Sequence, residues 1–171
     1  IMKFIIFLNR ITLNILSFIA PSTAAKRAVS IFSKVRIKGI RTKEQTFYEE
    51  ARKFEVKRDK EDLSCYELGN PDGKLLFLVH GWESNPGCFT KFIPHLSHYK
   101  IVTFTLPSHA HNKENHTNMY EGKNAFKQVI THYHPQEPFH VVAHSMGSAI
   151  TAFALYEMEF SADKLVFLSA N

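Results

Sequence analysis

Four apolar runs of strand length, separated by stretches of helical character, constrain the fold of this chain most strongly. The runs are continuous rather than alternating, which indicates strands buried on both faces, as in a parallel sheet covered by helices. Strands that alternate with helices predict a βαβ array. The four runs are LLFLVH (75–80), IVTFTL (101–106), FHVVAH (139–144) and KLVFLSA (164–170).

Two shorter runs ahead of these strands alternate apolar and polar residues around the sequence DKED, which predicts an antiparallel hairpin. The expected fold is therefore α/β, a mostly parallel sheet with flanking helices, preceded by N-terminal helices. We expect two regions, a basic amphipathic helical segment (1–53) and a sheet domain (54–171). The patterning places helices at about 1–20, 22–34, 43–53, 87–98, 119–133 and 146–160.

The N-terminal segment is both apolar and basic. Residues 1–60 carry 14 Lys/Arg and 5 Asp/Glu, whereas residues 61–171 carry 7 and 11. Asn9, Arg10 and Asn14 interrupt the apolar run, which argues against a membrane-spanning helix. An amphipathic helix is favoured, with apolar residues at helical spacing, and a signal peptide is the alternative. The apolar residues at helical spacing are Phe4, Phe7, Leu8, Ile11, Ile15, Phe18 and Ile19.

The expected location is cytoplasmic, because two cysteines do not form a disulfide framework. Peripheral membrane contact is expected through residues 1–20. The His-rich loop at 107–118 is interpreted as the rim of a site rather than a metal centre. Neither a cofactor nor a metal is expected. A nucleic-acid partner is not expected either, because no recognisable binding module accompanies the basic residues.

The sequence AHSMG, residues 143–147, follows a predicted buried strand and opens a predicted helix. A serine at such a sharp turn projects into a cleft when small residues lie two positions on either side, because strand and helix pass close together there. Ala143 and Gly147 meet that requirement. Ser145 is therefore the candidate catalytic nucleophile, and a simple helix N-cap serine is the alternative.

The sequence LVHGW, residues 78–82, ends an earlier core strand. Acyl transfer needs two N–H groups aimed at the oxyanion, one after the nucleophile and one from the loop of an earlier strand. Met146 and Trp82 are the candidates for this oxyanion hole. His80 and Gly81 supply the turn before Trp82, and His144 neighbours the serine without serving as its base.

These residues resemble the α/β-hydrolase superfamily over about residues 54–171. LVHGW looks like its oxyanion loop, and AHSMG like its Gly-x-Ser-x-Gly elbow with alanine first. TLPSHAHN, residues 105–112, looks like its Asp-x-Pro-x-His-Gly-x-Ser loop. Pro107 and His109 match that pattern, whereas Thr105, Ala110 and Asn112 depart from it.

The resemblance implies a serine hydrolase that acts on a small-molecule, ester-like carbonyl. The acid and histidine of such a hydrolase follow the serine, but no histidine follows Ser145. We therefore expect this chain to be the N-terminal part of a longer hydrolase and to be largely inactive alone. The alternative is a hydrolase-like binding or membrane-peripheral module that has lost catalysis.

Overall fold

The structure, a computed structural model, describes residues 2–158 and 160–169. The chain forms two compact units, one up to Lys34 and one from Val35 onward. The second unit thus starts before the predicted domain boundary at residue 54. The first unit is a pair of helices that pack on each other, α1 (Met2–Ile19) and α2 (Pro21–Phe32). Pro21 opens α2, where its missing N–H costs nothing.

No described helix is both long enough and apolar enough to cross a lipid bilayer.

The described residues of the second unit form six strands with helices between them, in the alternation that the sequence predicts. Short 3₁₀ turns at Thr42–Glu44 and Pro86–Phe89 precede α3 and α4. The helices and strands in chain order are α3 (Gln45–Glu50), β1 (Arg52–Val56), β2 (Leu63–Gly69), β3 (Leu75–Val79), α4 (Ile93–Leu96), β4 (Lys100–Phe104), α5 (Met119–Tyr133), β5 (Phe139–His144), α6 (Met146–Tyr156) and β6 (Ala162–Leu168).

The six strands form one sheet in the order β1-β2-β4-β3-β5-β6. The β1–β2 and β2–β4 pairs are antiparallel, whereas β4, β3, β5 and β6 run parallel to one another. The predicted hairpin and mostly parallel sheet are both confirmed. Because parallel strands end at the same edge, the segments after β3, β4, β5 and β6 meet there, where open α/β sheets bind ligands.

The central strand β3 is buried on both faces, as its continuous apolar sequence predicts. Phe77 points to the face covered by α5 and packs edge-on against Phe126, with ring centroids 5.5 Å apart. Leu78 points to the other face and joins a smaller cluster with Phe89. Side chains of successive strand residues alternate between faces. β3 is therefore fixed from both sides, and the loop that follows it starts from a rigid base.

Among residues 2–158 and 160–169, β6 is an outermost strand and pairs with β5. Leu165, Val166 and Phe167 on this strand are exposed.

Three predicted helices are shorter than their patterns suggested. The stretch 43–53 contains a 3₁₀ turn and α3, which ends at Glu50, and β1 already begins at Arg52. The stretch 87–98 is a 3₁₀ turn followed by the single-turn helix α4, because Pro94 lacks an N–H and cannot continue a helix from the preceding residues. The predicted helix at 146–160 ends at Tyr156, and Glu157 caps it. The helix predicted at 119–133 has those bounds in the structure.

Candidate functional site

Ser145 lies between β5 and α6, in a backbone conformation that residues other than glycine rarely adopt. Its φ is 52° and its ψ is −126°, which turns the chain abruptly from strand to helix. Ser145 occupies the N-cap position of α6, but its side chain makes no capping hydrogen bond. The half-buried hydroxyl is therefore not used to cap the helix.

The turn at Ser145 depends on glycines that let neighbouring segments approach. A Cβ at Gly147 would lie 2.4 Å from the carbonyl oxygen of Val79, so only glycine fits between the helix start and β3. A Cβ at Gly81 would lie 2.9 Å from Ser145 Cβ. Ala143 is fully buried in the core. The loop after β3 is thus in direct contact with the serine.

The backbone N–H groups of Trp82 and Met146 are available at this position. Neither N–H donates a hydrogen bond within residues 2–158 and 160–169. Trp82 follows the glycine that contacts Ser145, and Met146 is the first residue of α6. The amides at a helix N-terminus also carry the positive end of the helix dipole. The two amides predicted to bind an oxyanion therefore have no other hydrogen-bond partner among the described residues.

Two buried histidines connect the loop after β3 to the loop after β4 through hydrogen bonds. Leu106 donates its N–H to His80 Nε2 at 3.0 Å, and Glu83 donates its N–H to His109 Nε2 at 3.0 Å. Each histidine ring thus accepts a hydrogen bond from a backbone N–H in the loop that contains the other histidine. The two rings lie 5.3 Å apart, and the Trp82 ring lies 5.3 Å from that of His109. This reciprocal pair fixes the backbone on both sides of the Trp82 amide.

Both histidines are neutral, because each ring accepts at one nitrogen and lies near a carbonyl oxygen at the other. Nδ1 of His80 lies 2.8 Å from Gly81 O, and Nδ1 of His109 lies 2.9 Å from Pro107 O. These contacts place the proton on Nδ1 of each ring. Burial lowers the pKa of His80 to about 3, and burial also lowers the pKa of His109.

Strained backbone conformations gather at the same edge of the sheet. Positive φ angles occur after β3 at Glu83, after β4 at Ser108 and Ala110, and after β5 at Ser145. Ser169, directly after β6, also has a positive φ, and Ser145 donates its N–H to Leu168 O at 2.8 Å. Such strain concentrates at functional sites, where the surrounding structure holds it in place.

The described residues supply no base to the serine. Ser145 Oγ makes no hydrogen bond to any residue within 2–158 or 160–169. His144 makes no hydrogen bond to Ser145, and its buried Nδ1 lies 3.3 Å from where a Cβ on Gly81 would be. That nitrogen has no hydrogen-bond partner in the described part of the chain.

The His-rich loop does not form a metal centre among the described residues, where no group of three or more His, Cys, Asp or Glu side chains is placed to hold an ion. His109 turns inward and is fully buried, whereas His111 and His116 are exposed. The loop therefore contributes one buried histidine to the site and two exposed ones to its surroundings.

Residues before the predicted domain boundary also support the loop after β3. Asn85 in that loop donates to the buried Glu44 carboxylate at 2.9 Å and accepts from Tyr48 Oη at 2.7 Å. Arg36 donates its N–H to Glu83 at 2.8 Å. The composition of 35–50 did not predict this role. The role of His109 had one sequence signal, its place in the TLPSHAHN pattern.

Solved structures with similar folds come from several bacteria. An alpha/beta hydrolase fold protein from Burkholderia ambifaria is 17% identical, with a TM-score of 0.61 over 70% of this chain and 44% of its own. A candidate lipase from Acinetobacter baumannii AYE is 16% identical, with a TM-score of 0.62 over 76% of this chain and 47% of its own.

The structure of a membrane phospholipase A, a bacterial virulence factor, is 16% identical, with a TM-score of 0.61 over 97% of this chain and 50% of its own. The present chain thus spans about half the length of these three proteins. No curated protein sequence matches it. Residues 74–171, which are more than half of the chain and contain both the HGW and HSMG sequences, match the family defined by the alpha/beta hydrolase fold. The chain therefore belongs to the alpha/beta hydrolase fold family.

Proposed function

We propose that this protein is a serine hydrolase that acts on ester-like carbonyl compounds through Ser145. The observation that carries the proposal is the strained turn at Ser145, which leaves its hydroxyl without a capping role next to Gly81, the residue before Trp82. A residue without such a function would relax to an ordinary N-cap conformation, in which the hydroxyl bonds to the helix.

In the proposed reaction, Ser145 Oγ attacks the carbonyl carbon while a base removes the hydroxyl proton. The carbonyl oxygen becomes an oxyanion, and the N–H groups of Trp82 and Met146 donate to it. Collapse of this intermediate expels the alcohol, which takes up the proton, and leaves an acyl-serine. Water then attacks the acyl-serine, releases the carboxylic acid and restores the hydroxyl.

The base and its supporting acid are proposed to come from outside the described residues. A serine hydroxyl is not ionised near neutral pH and needs a positioned proton acceptor, and Ser145 Oγ has no such acceptor here. The lipase-like and phospholipase names of two structural neighbours are consistent with carboxylic esters as substrates. We propose the same class for the full-length gene product.

A fluorophosphonate probe tests this proposal, because it reacts covalently with activated serines. We expect the full-length gene product to be labelled and the Ser145→Ala variant to lose labelling. Ser148→Ala is the matched control, because Ser148 Oγ is buried and donates to the Ala143 carbonyl at 3.3 Å. Labelling that survives in Ser145→Ala, or that disappears equally in Ser148→Ala, would contradict the assignment.

A second candidate function is a hydrolase-like binding module without catalysis. The absence of a base at Ser145 Oγ among the described residues favours it, as do Thr105 and Ala110 in the loop after β4. This candidate predicts no fluorophosphonate labelling of the full-length product, together with saturable binding of an uncleaved ester at the same edge of the sheet. The labelling experiment therefore separates the two candidates.

A further inference from the structure

The helix α1 exposes the apolar stripe that a helix of a soluble unit ordinarily buries. Seven apolar residues at helical spacing form this stripe, and each is between 40% and 87% exposed. The opposite side of α1 packs against α2, where Arg27 donates to Asn9. The stripe therefore lies on the side that α2 leaves uncovered. Its members are Phe4, Phe7, Leu8, Ile11, Ile15, Phe18 and Ile19.

The second helix adds apolar surface of the same kind. Val29 and Phe32 are 66% and 85% exposed. They lie three positions apart on α2 and share one face of it. Exposed apolar side chains clustered on one face of a helix indicate an interaction site.

The positive charge of α1 and α2 indicates which kind of partner fits the apolar stripe. Residues 1–34 contain five Lys/Arg residues and neither Asp nor Glu. Arg10, Lys26, Arg27 and Lys34 are exposed. A second copy of this unit would bring like charges together, which opposes association. An anionic surface with an apolar interior complements both the charge and the stripe.

We infer that α1 and α2 form a docking surface for a bilayer that contains anionic phospholipids. Helices with an apolar face and Lys/Arg elsewhere bury that face at the boundary between headgroups and acyl chains. The cations then lie among the phosphates of the headgroups, where each contributes to binding. The residues of this surface do not include Ser145, so the inference does not depend on the proposed hydrolase activity.

Vesicle flotation of the full chain, purified as a monodisperse fraction, tests the inference. We expect the protein to float with vesicles of phosphatidylcholine and phosphatidylglycerol and to bind pure phosphatidylcholine vesicles much more weakly. Raising the ionic strength from about 0.1 M to about 1 M shortens the screening length from about 10 Å to about 3 Å and should weaken binding. The Ser145→Ala variant should float as the unsubstituted protein does.

Three variants make the test specific. Combined Phe4→Ser, Phe7→Ser and Phe18→Ser should weaken binding about a hundredfold, because three large apolar side chains of the stripe are lost. Combined Arg10→Gln and Lys26→Gln should weaken it about tenfold or more on anionic vesicles. Phe153→Ser with Tyr156→Ser removes exposed aromatic rings from α6 and should leave binding unchanged. Circular dichroism checks that the variants fold, and the charge variant carries the test if the apolar variant does not.

Other outcomes would overturn the inference. One is the absence of flotation. Another is equal flotation with both vesicle types that changes neither with ionic strength nor in the Arg10→Gln and Lys26→Gln variant. Concentration-dependent dimerisation without flotation, abolished by the three Phe→Ser substitutions, would instead identify a second copy of the chain as the occupant.

Discussion

At the scale of single residues, the site depends on how closely the chain passes itself around Ser145. The positive φ of that residue costs about 1–3 kcal/mol, which the surrounding packing must offset. Gly147 allows the packing that offsets this cost, because without a side chain at 147 the start of α6 can lie directly against the end of β3. The serine and glycine of the HSMG sequence are thus coupled through the backbone.

Gly147→Ala tests that coupling. The added Cβ would lie 2.4 Å from Val79 O and 2.6 Å from His80 O, so backbone must shift. We expect the free energy of unfolding to fall by about 3 kcal/mol, as in other overpacked sites. Urea denaturation measures the change. Gly39→Ala is the control, because a Cβ there meets no atom within 4 Å, and similar losses in both variants would contradict the close approach.

The buried His80 predicts a dependence of stability on pH. Its pKa is about 3 in the folded protein and about 6.5 when unfolded. Only the unfolded chain takes up a proton between these values, so the contribution of His80 is complete above about pH 6.5. It falls by about 1.4 kcal/mol for each pH unit as the pH drops toward 3.

The variant His80→Gln isolates this effect, because other titrating groups are common to both proteins. We expect the difference in unfolding free energy between the unsubstituted protein and His80→Gln to shrink between pH 7 and pH 5. Urea denaturation at several pH values measures it. A difference that stays constant over that range would show that His80 is not held neutral by burial.

At the scale of elements, the loops after β3 and β4 act as one unit because His80 and His109 exchange hydrogen bonds across them. This arrangement gives the Trp82 amide a fixed position without help from a regular helix or strand. Preorganised donors of this kind stabilise a developing oxyanion more than mobile ones do.

His109→Phe should loosen this connection while it keeps a ring in the buried space. Glu83 N–H then loses its acceptor, which we expect to cost about 1–2 kcal/mol of stability. If the Trp82 amide moves, fluorophosphonate labelling of Ser145 in the full-length product should slow by about tenfold or more. His111→Gln is the control, because His111 is exposed in the same loop. Unchanged labelling in His109→Phe would remove the positioning role.

The elements themselves followed from the sequence where one signal dominated. Continuous apolar runs gave the parallel strands, and α5 has its predicted bounds because Asn118 caps its start and His134 takes a left-handed conformation at its end. The prediction of one helix over 87–98 was wrong, because it followed the apolar spacing and gave too little weight to the helix-breaking Pro94. Composition alone did not reveal that 35–50 supports the site, since that support comes from individual contacts such as Glu44 with Asn85.

At the scale of the whole molecule, the fold and the family were predictable and the completed chemistry was not. Strand alternation and the order of HGW, TLPSHAHN and HSMG sufficed for the α/β architecture, and the family match confirms it. The hydrogen bonds that His80 and His109 accept across the two loops could not be predicted, because hydrogen bonds between loops leave no periodic pattern in a sequence. No histidine that could serve as the proposed base follows residue 145 in this sequence.

The central claim is that the Ser145 hydroxyl and the amides of Trp82 and Met146 converge on one reacting carbonyl. A crystal structure of the fluorophosphonate adduct of the full-length product measures this directly. We predict phosphorus bonded to Ser145 Oγ and the phosphoryl oxygen about 2.7–3.1 Å from both amide nitrogens. An adduct on another residue, or a phosphoryl oxygen directed away from the Trp82 amide, would contradict the account.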